Sequence, residues 1–383
     1  MFGKPHSYLG VDLGSDGVKV VELKKQKNRP VLHTYAYSKE PNEIHDILTH
    51  DKESLNIEDG LQKKFAQDEK KQDKNKKQLE RQVEDKRIEK YAGLLKSVCA
   101  QAKTTSKTAV VSLPVSGVFH VVVTLPKVKK EDFNIVLQSE MKKIIPMDLS
   151  KVTVDYQVIE TEDKKTQKIL VNAVEKTKIA FYSKVFKKAG LVLDSLEPES
   201  TALSRALVGN DKSLTMMVDV GAVRSNFFIF ENGYPMTHNS LESGGNKIDK
   251  ILQNRLGVDD KMVEQIKYDL SDSLKDFNII NKNQFLDMMA PVIDPIIKEI
   301  EYSFELYSRQ IGNENKVLEK IILTGGASMI PYLSEYISDK FKVKSFVGDP
   351  WARIIYQDSL KVLLDKISPR MSVAIGLALR KFV

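Results

Sequence analysis

Cysteine is almost missing from this chain. Cys99 is alone in 383 residues, which excludes an intramolecular disulfide and any zinc site built on cysteines. Histidine is sparse as well, with six in the whole sequence. His120 and His238 stand in strand-like surroundings with no second His or Cys at ligand spacing, so they read as structural or exposed residues and not as metal ligands. No apolar run approaches the roughly 18 to 20 residues of a membrane span. Gly3, Lys4, Pro5 and His6 interrupt what would be the apolar stretch of a secretory signal, and a cytoplasmic protein is expected. Neither Gly-x₄-Gly-Lys-Ser/Thr nor Gly-x-Gly-x-x-Gly occurs, which sets aside the P-loop and the dinucleotide-binding turn.

What is present is material for two domains, or for one duplicated body: 42% hydrophobic and 29% charged residues. The net charge of +7 would suit nucleic acid or an anionic membrane. Much of the excess, however, lies between residues 61 and 90, a stretch without Pro or Gly and rich in Lys, Gln and Glu. Its few apolar residues (Leu61, Phe65, Leu79, Val83, Ile88) do not make a full buried stripe. A solvated helix or a partly disordered insertion is expected there, with a basic docking arm as the other reading. No nucleic-acid-binding motif accompanies it.

The informative pattern is a repeat. Val11-Asp12-Leu13-Gly14-Ser15 returns in outline as Val218-Asp219-Val220-Gly221-Ala222, at one constant displacement (12 to 219, 14 to 221). Each copy lies between apolar runs, the sign of strand, tight turn, strand with an acidic residue at the mouth of the turn. A duplicated hairpin implies a duplicated domain.

Between the copies, strand-like runs at 109–113, 118–125, 152–159 and 168–174 alternate with helical patterns at 130–145 and 176–189. Residues 105–193 are therefore expected as an inserted α+β module. The first domain is expected over 1–104, with a connecting helix at 194–208. The second is expected over 209–383, with a helical subdomain at about 241–320.

Two Asp-x-Gly turns can supply backbone N–H groups to an anion and two carboxylates to a metal. Mg²⁺ takes one or two carboxylates together with phosphates and keeps several waters, a role that suits Asp12 and Asp219 from opposite walls. Other readings stay open for the remaining residues. Lys19 is equally an exposed strand lysine, Glu264 and Lys267 an ordinary i, i+3 pair, and Glu199 an acid favoured by a helix N-terminus. Gly325-Gly326 is equally a plain strand cap.

Taken in order, Asp12-Leu13-Gly14-Ser15 with Lys19, Glu197-Pro198-Glu199-Ser200, Asp219-Val220-Gly221-Ala222, Gly244-Gly245, Glu264-x-x-Lys267 and Thr324-Gly325-Gly326-Ala327-Ser328 resemble the actin/hexokinase/FtsA superfamily. Within it, the chain is most similar to the PilM family of type IV pilus assembly. The resemblance implies an α/β, duplicated actin-like (ribonuclease-H-like) fold carrying an SHS2/FtsA-type module, with ATP and Mg²⁺ bound between the domains.

It further implies that Gly14, Ser15 and Lys19 hold phosphates, that Asp12 and Asp219 orient the metal, and that Gly221, Ala222, Ser225, Gly244 and Gly245 close on the nucleotide from the second domain. Glu199 would orient the attacking water. Glu264 and Lys267 would border ribose and base, and Gly325, Gly326 and Ser328 would form the adenosine turn. Arg224-Ser225-Asn226 departs from the Thr-rich turn of many members, and Asp16 adds a negative charge. Nucleotide binding with at most weak ATPase activity is therefore expected.

The implied partner is the cytoplasmic N-terminal peptide of a PilN-like inner-membrane protein, with other pilus platform proteins beyond it. The peptide would dock on or beside the inserted module, and Val118 to Val123 is a candidate wall. The chain closes on Leu379 to Val383 without an amphipathic tail, so attachment to the membrane is expected through that partner. Self-association into a homo-oligomer is left open. An FtsA-like division protein and a small-molecule kinase of the same fold are the alternatives.

Overall fold

The structure, a computed structural model, describes residues 7–40, 69–159, 165–263, 266 and 282–382. Two five-stranded sheets form its body, and they have the same plan. In the first, β1 (Ser7–Gly14), β2 (Gly17–Gln26) and β3 (Arg29–Tyr37) make an antiparallel meander. β4 (Thr108–Leu113) then pairs parallel to β1, and β8 (Val192–Pro198) parallel to β4. In the second, β9 (Thr215–Val220), β10 (Ser225–Glu231) and β11 (Tyr234–Leu241) repeat the meander. β12 (Lys320–Thr324) and β13 (Lys344–Val347) repeat the parallel pair. The duplication expected from the two hairpins is therefore a duplication of whole sheets.

Near-continuous Val, Ile, Leu, Met and Phe in β1, β4, β9 and β12 mark strands covered on both faces. On the first sheet the cover is α1 (Glu69–Gln101) and α3 (Lys176–Ala189). Tyr91, Leu95 and Val98 of α1 meet Phe181, Tyr182 and Val185 of α3 over Val11 and Val20. Lys184 and Lys188 reach Glu84 (2.8 Å) and Glu89 (2.6 Å) across the top of the pair. The charged stretch thus enters the body as a helix whose core begins at Ile88, while residues 61–68 lie outside the described residues.

The smaller sheet, ordered β5-β7-β6, contains β5 (Phe119–Pro126), β6 (Val152–Ile159) and β7 (Thr166–Glu175), and α2 (Lys130–Ile144) covers it. This is the inserted module, narrower than the 105–193 block. β4 and α3, which fall at the ends of that block, belong to the first sheet and its cover, and the expected connecting helix over 194–208 is strand β8 as far as Pro198 and helical only from Glu199. Parallel pairing of β4 with β1 closes across about a hundred residues, a contact that local periodicity does not reveal.

After β8 come a short helix, α4 (Glu199–Leu203), and a π-turn (Ser204–Val208) that carry the chain to the second sheet. There α5 (Gly245–Leu256) and α6 (Lys282–Ser308) pack Ile248, Leu252, Val292 and Ile296 over β9 and β10. α7 (Leu333–Phe341) precedes β13. Beyond it, α8 (Lys361–Ile367) and α9 (Ser372–Ala378) return to the first domain, where Ala374 and Ile375 join Val21 and Leu23 in one core. The two sheets are tied by this returning segment, and the cleft lies between their β1–β2 and β9–β10 turns.

Candidate functional site

In the first hairpin Asp12 is the register partner of Lys19, and in the second Asn226 is the register partner of Asp219. Lys19 Nζ donates to Asp12 Oδ2 at 3.1 Å, and Ser112 of β4 donates its hydroxyl to Asp12 Oδ1 at 2.8 Å. Gly14 makes the fold-back of Lys19 practicable, because a Cβ there would sit 2.8 Å from the ammonium. In the second hairpin the Gly221 N–H donates to the Arg224 carbonyl at 2.9 Å. The Gly245 and Asn246 N–H groups at the start of α5 then donate to the carbonyls of Gly221 (2.9 Å) and Ala222 (2.8 Å).

The third wall is the turn after β12. Gly325 adopts φ +89°, and a Cβ on it would stand 2.4 Å from Asp219 Oδ1, so only glycine allows the turn to pass the carboxylate. A cavity of about 390 Å³ lies between these turns. Asp12, Gly14, Ser15 and Lys19 line it from the first domain. Asp219, Gly221, Ala222, Gly245, Gly325 and Gly326 line it from the second, and Glu199 from the connecting helix.

The electrostatics are those of a site prepared for a cation. Burial and then the charge of Asp12 raise the Asp219 pKa, against the opposing pull of Lys19 and a hydrogen bond from Asn226, and leave it at about 6. Glu199 is held well above the usual carboxylate range, by burial first and then by Asp12 and Asp219, although the Val115 N–H donates to it. Its Oε2 is buried without a hydrogen-bond partner. Tyr182 of α3 is equally buried with an unpartnered hydroxyl, and burial together with Glu199 and Asp12 pushes its ionisation upward.

Three acids in one another's field, Asp12 and Glu199 buried and Asp219 half-buried, fit a group bringing positive charge. Among the described residues, no three His, Cys, Asp or Glu side chains converge as a metal cage. A hydrated divalent ion shared with phosphate oxygens is the arrangement that two facing carboxylates suit.

Three expected contacts are placed elsewhere. The Ser225 hydroxyl is fully buried and donates to the Ser243 carbonyl at 2.5 Å, stapling the second hairpin to the start of α5. The Ser328 hydroxyl donates to the Gly325 carbonyl at 2.8 Å and holds the third turn closed. Gly244 stands behind the second turn, where a Cβ would meet the Gly221 and Ala222 carbonyls at 2.6 and 2.7 Å. Glu264 and Lys267 lie outside the described residues.

Of the cavity residues that sequence reasoning gave no role, two bear on the chemistry. Asn226 is the register counterpart of Lys19, and the repeat itself could have revealed it. Arg370 comes from the returning segment and had no local signal. His120 and His238 are isolated from each other in the sequence. In the fold their rings meet edge to face with centroids 5.4 Å apart, where β5 of the module leans on β11. The Val118–Val123 strand is correspondingly closed off on that side: His120 Nε2 lies 2.9 Å from the Pro235 carbonyl.

The fold has solved counterparts. The chain superposes on the structure of a "PilM-PilN type IV pilus biogenesis complex" with a TM-score of 0.72 at 19% identity, covering 99% of this chain and 100% of that one. It also superposes on the ethanolamine utilization protein EutJ from Carboxydothermus hydrogenoformans, with a TM-score of 0.53 at 14% identity, covering 100% and 92%. Duplicated sheets of equal strand order with an inserted three-stranded module make this the actin-like α/β fold. A family model described as type IV pilus assembly protein PilM matches residues 72–382, from within α1 to the last described residue; it takes in β4 and β8 of the first sheet, the module, the whole second sheet and that side of the cleft, while the β1–β2 hairpin precedes it. On that match the chain belongs to the type IV pilus assembly protein PilM family.

Proposed function

We propose that this protein binds Mg-ATP between its two Asp-x-Gly hairpins and acts as a nucleotide-dependent scaffold of the pilus assembly platform. A PilN-like membrane protein is its partner through a short cytoplasmic peptide. One observation carries the nucleotide reading: buried Asp12 and Glu199 and half-buried Asp219 meet in one cavity that three glycine turns also line. Buried carboxylates without a cation are costly, and the glycine turns leave backbone open to an anion.

In this reading Asp12 and Asp219 hold the hydrated metal, and Lys19, Gly14 and Gly221 hold phosphates. The metal, when bound, supplies positive charge at the phosphate oxygens. Glu199 lines the cavity, and its unpartnered Oε2 is the group that would receive a proton from water. Burial, Asp12 and Asp219 raise its pKa and so disfavour the carboxylate that would accept the proton, and hydrolysis is slow unless binding offsets this.

Support for the partner comes from the family and from the solved relative, a complex that pairs PilM with PilN. No described helix is long and apolar enough to cross a membrane, so a membrane-bound partner would supply the attachment. In the module β6 pairs only with β7 among the described strands and carries exposed Tyr156 and Val158, whereas β5 is covered by β11. The accessible side of the module is therefore the β6 side.

Calorimetric titration of Mg-ATP into the wild type and into Asp12→Ala/Asp219→Ala tests the site. Loss of binding in the double variant is expected, and unchanged affinity overturns the assignment.

A further inference from the structure

Arg370 is the cavity residue for which the hairpin reading has no use. It sits in the single turn Ser368–Met371, between the second sheet and α9, and lines the same cavity as the two carboxylates. The turn is fixed firmly. The Pro369 carbonyl accepts from the Gly325 N–H (3.1 Å), the Thr324 hydroxyl (3.2 Å) and the Ser372 hydroxyl (3.1 Å).

From there the guanidinium reaches across the cleft to the first domain. Its carbon stands 5.2 Å from the centre of the Tyr37 ring, and Tyr37 is the register partner of Lys19. On the other side, Nε lies 3.4 Å from where a Cβ of Gly326 would be. Arg370 therefore lies between the third glycine turn and the strand that neighbours the phosphate-side lysine.

Its Nη1 is buried and has no hydrogen-bond partner. Six acidic and four basic side chains line the cavity. Of the four, Lys19 is paired with Asp12 and Arg224 with Glu242. Such a lining repels a polyphosphate unless cations offset it. A buried guanidinium edge with an unused donor meets that need, because Arg presents a planar fork to phosphate oxygens. The cation–π contact with Tyr37 holds the guanidinium without using its N–H groups.

The geometry points to Arg370 as a phosphate-recognising residue: its free Nη1 edge donates to an oxygen of the bound nucleotide's phosphate chain. The residue would also make the affinity depend on the number of phosphates. The assignment rests on the nucleotide reading of the cleft. Because the contact spans both domains, closure on a nucleotide would be felt at Tyr37 and at the Gly325-Gly326 turn together.

The test is displacement of a fluorescent ATP analogue by ATP, ADP, AMP and adenosine, with Mg²⁺ present, from the wild type, Arg370→Gln and Arg370→Lys. Melting curves would confirm that the variants are folded. The expected result is a loss of about tenfold or more in ATP and ADP affinity for Arg370→Gln, by the strength of a charge-assisted hydrogen bond. Adenosine affinity should change little, Arg370→Lys should recover part of the loss, and the salt dependence of ATP binding should become shallower in Arg370→Gln.

Equal losses for adenosine and ATP would make Arg370 a base-stacking residue and overturn the assignment. Unchanged ATP affinity in Arg370→Gln would overturn it as well, while leaving the nucleotide site in place. A wild type that binds no nucleotide would overturn both the proposed function and this assignment. If Arg370→Gln is unfolded, Arg370→Lys decides alone: ATP affinity equal to the wild type would show that the fork geometry has no role.

Discussion

Lys19 Nζ lies 3.1 Å from Asp12 Oδ2, and both side chains are nearly buried. The pair already neutralises one wall of the cleft in the ligand-free protein. Replacing Lys19 with Met would leave Asp12 buried with only the Ser112 hydroxyl on its other oxygen. Removing one partner of a buried pair costs about 3 kcal/mol or more, because the remaining charge is uncompensated. Lys19→Met is therefore expected to lower both the midpoint of urea unfolding and the affinity for ATP. Adding Mg²⁺ to the variant should recover part of the stability by bringing a cation to Asp12. A variant as stable as the wild type would show that the pair contributes nothing.

Asp219 behaves in the opposite sense. Its folded pKa of about 6 lies above the usual 3.8, so the folded state holds the proton more tightly than the unfolded chain does. That contribution to stability is present below about pH 4 and is lost as pH rises through 6. Asp219→Asn removes the charge that must otherwise be buried. By neutral pH the ligand-free variant should exceed the wild type by up to about 3 kcal/mol, at ~1.4 kcal/mol per pKa unit. The difference should close near pH 4, and stabilisation by Mg-ATP should vanish in the variant. Chemical denaturation at pH 4, 5.5 and 7.5, with and without Mg-ATP, gives all three comparisons.

The adjacent glycines of the third turn should separate cleanly. Gly325 adopts a left-handed φ, with Asp219 Oδ1 and the Val220 carbonyl 2.4 and 2.5 Å from the position of a Cβ. Alanine there carries backbone strain and two clashes, so Gly325→Ala should cost about 2 kcal/mol or more and displace the Asp219 carboxylate. Gly326 has no such φ, and its nearest neighbour would be the Arg370 side chain at 3.4 Å. Gly326→Ala should keep the fold and lose only nucleotide affinity. Thermal melts beside ATP titrations distinguish the two, and equal effects on stability would contradict this account of the turn.

The duplication was readable because a strand-turn-strand unit is local, and its residues carry the signal within a dozen positions. The two hairpin turns with Asp12 and Asp219 followed from it, whereas Glu199 and the Gly325-Gly326 turn came from the family resemblance. What escaped depends on distance along the chain. Ser225 and Ser328 have hydroxyls of the right chemistry, yet each is bound to a carbonyl that only the folded turn brings near. Arg370 and Tyr37 are more than three hundred positions apart, so no spacing announces their contact. β4 looked like part of the inserted module because its neighbours in sequence are there, whereas its partners in the sheet are not. Hydrophobic periodicity reports which face of an element is buried and is silent on which element covers it.

His120 and His238 show the same limit, and their meeting has a pH consequence. Burial lowers both pKa values, and His120 pushes His238 further down, to about 4. Phe228 packs on His238, while Asn172 and the Pro235 carbonyl face His120. A histidine whose folded pKa lies below 6.5 contributes stability above that value and loses it as pH falls toward the folded pKa. For His238 the loss between pH 6.5 and 4 is no more than about 3 kcal/mol. Asp219 gains stability over part of the same window, so global melts would partly hide the effect. A local readout removes the ambiguity: amide exchange in β5 and β11 should quicken, relative to β9 and β12, as the pH is lowered from 7 to 5 with intrinsic rates accounted for. His238→Phe should reduce that difference, because the ring contact persists and only His120 is left to titrate. If β5 and β11 track the rest of the second sheet at every pH in the wild type, the histidine pair does not govern how the module sits on the second domain.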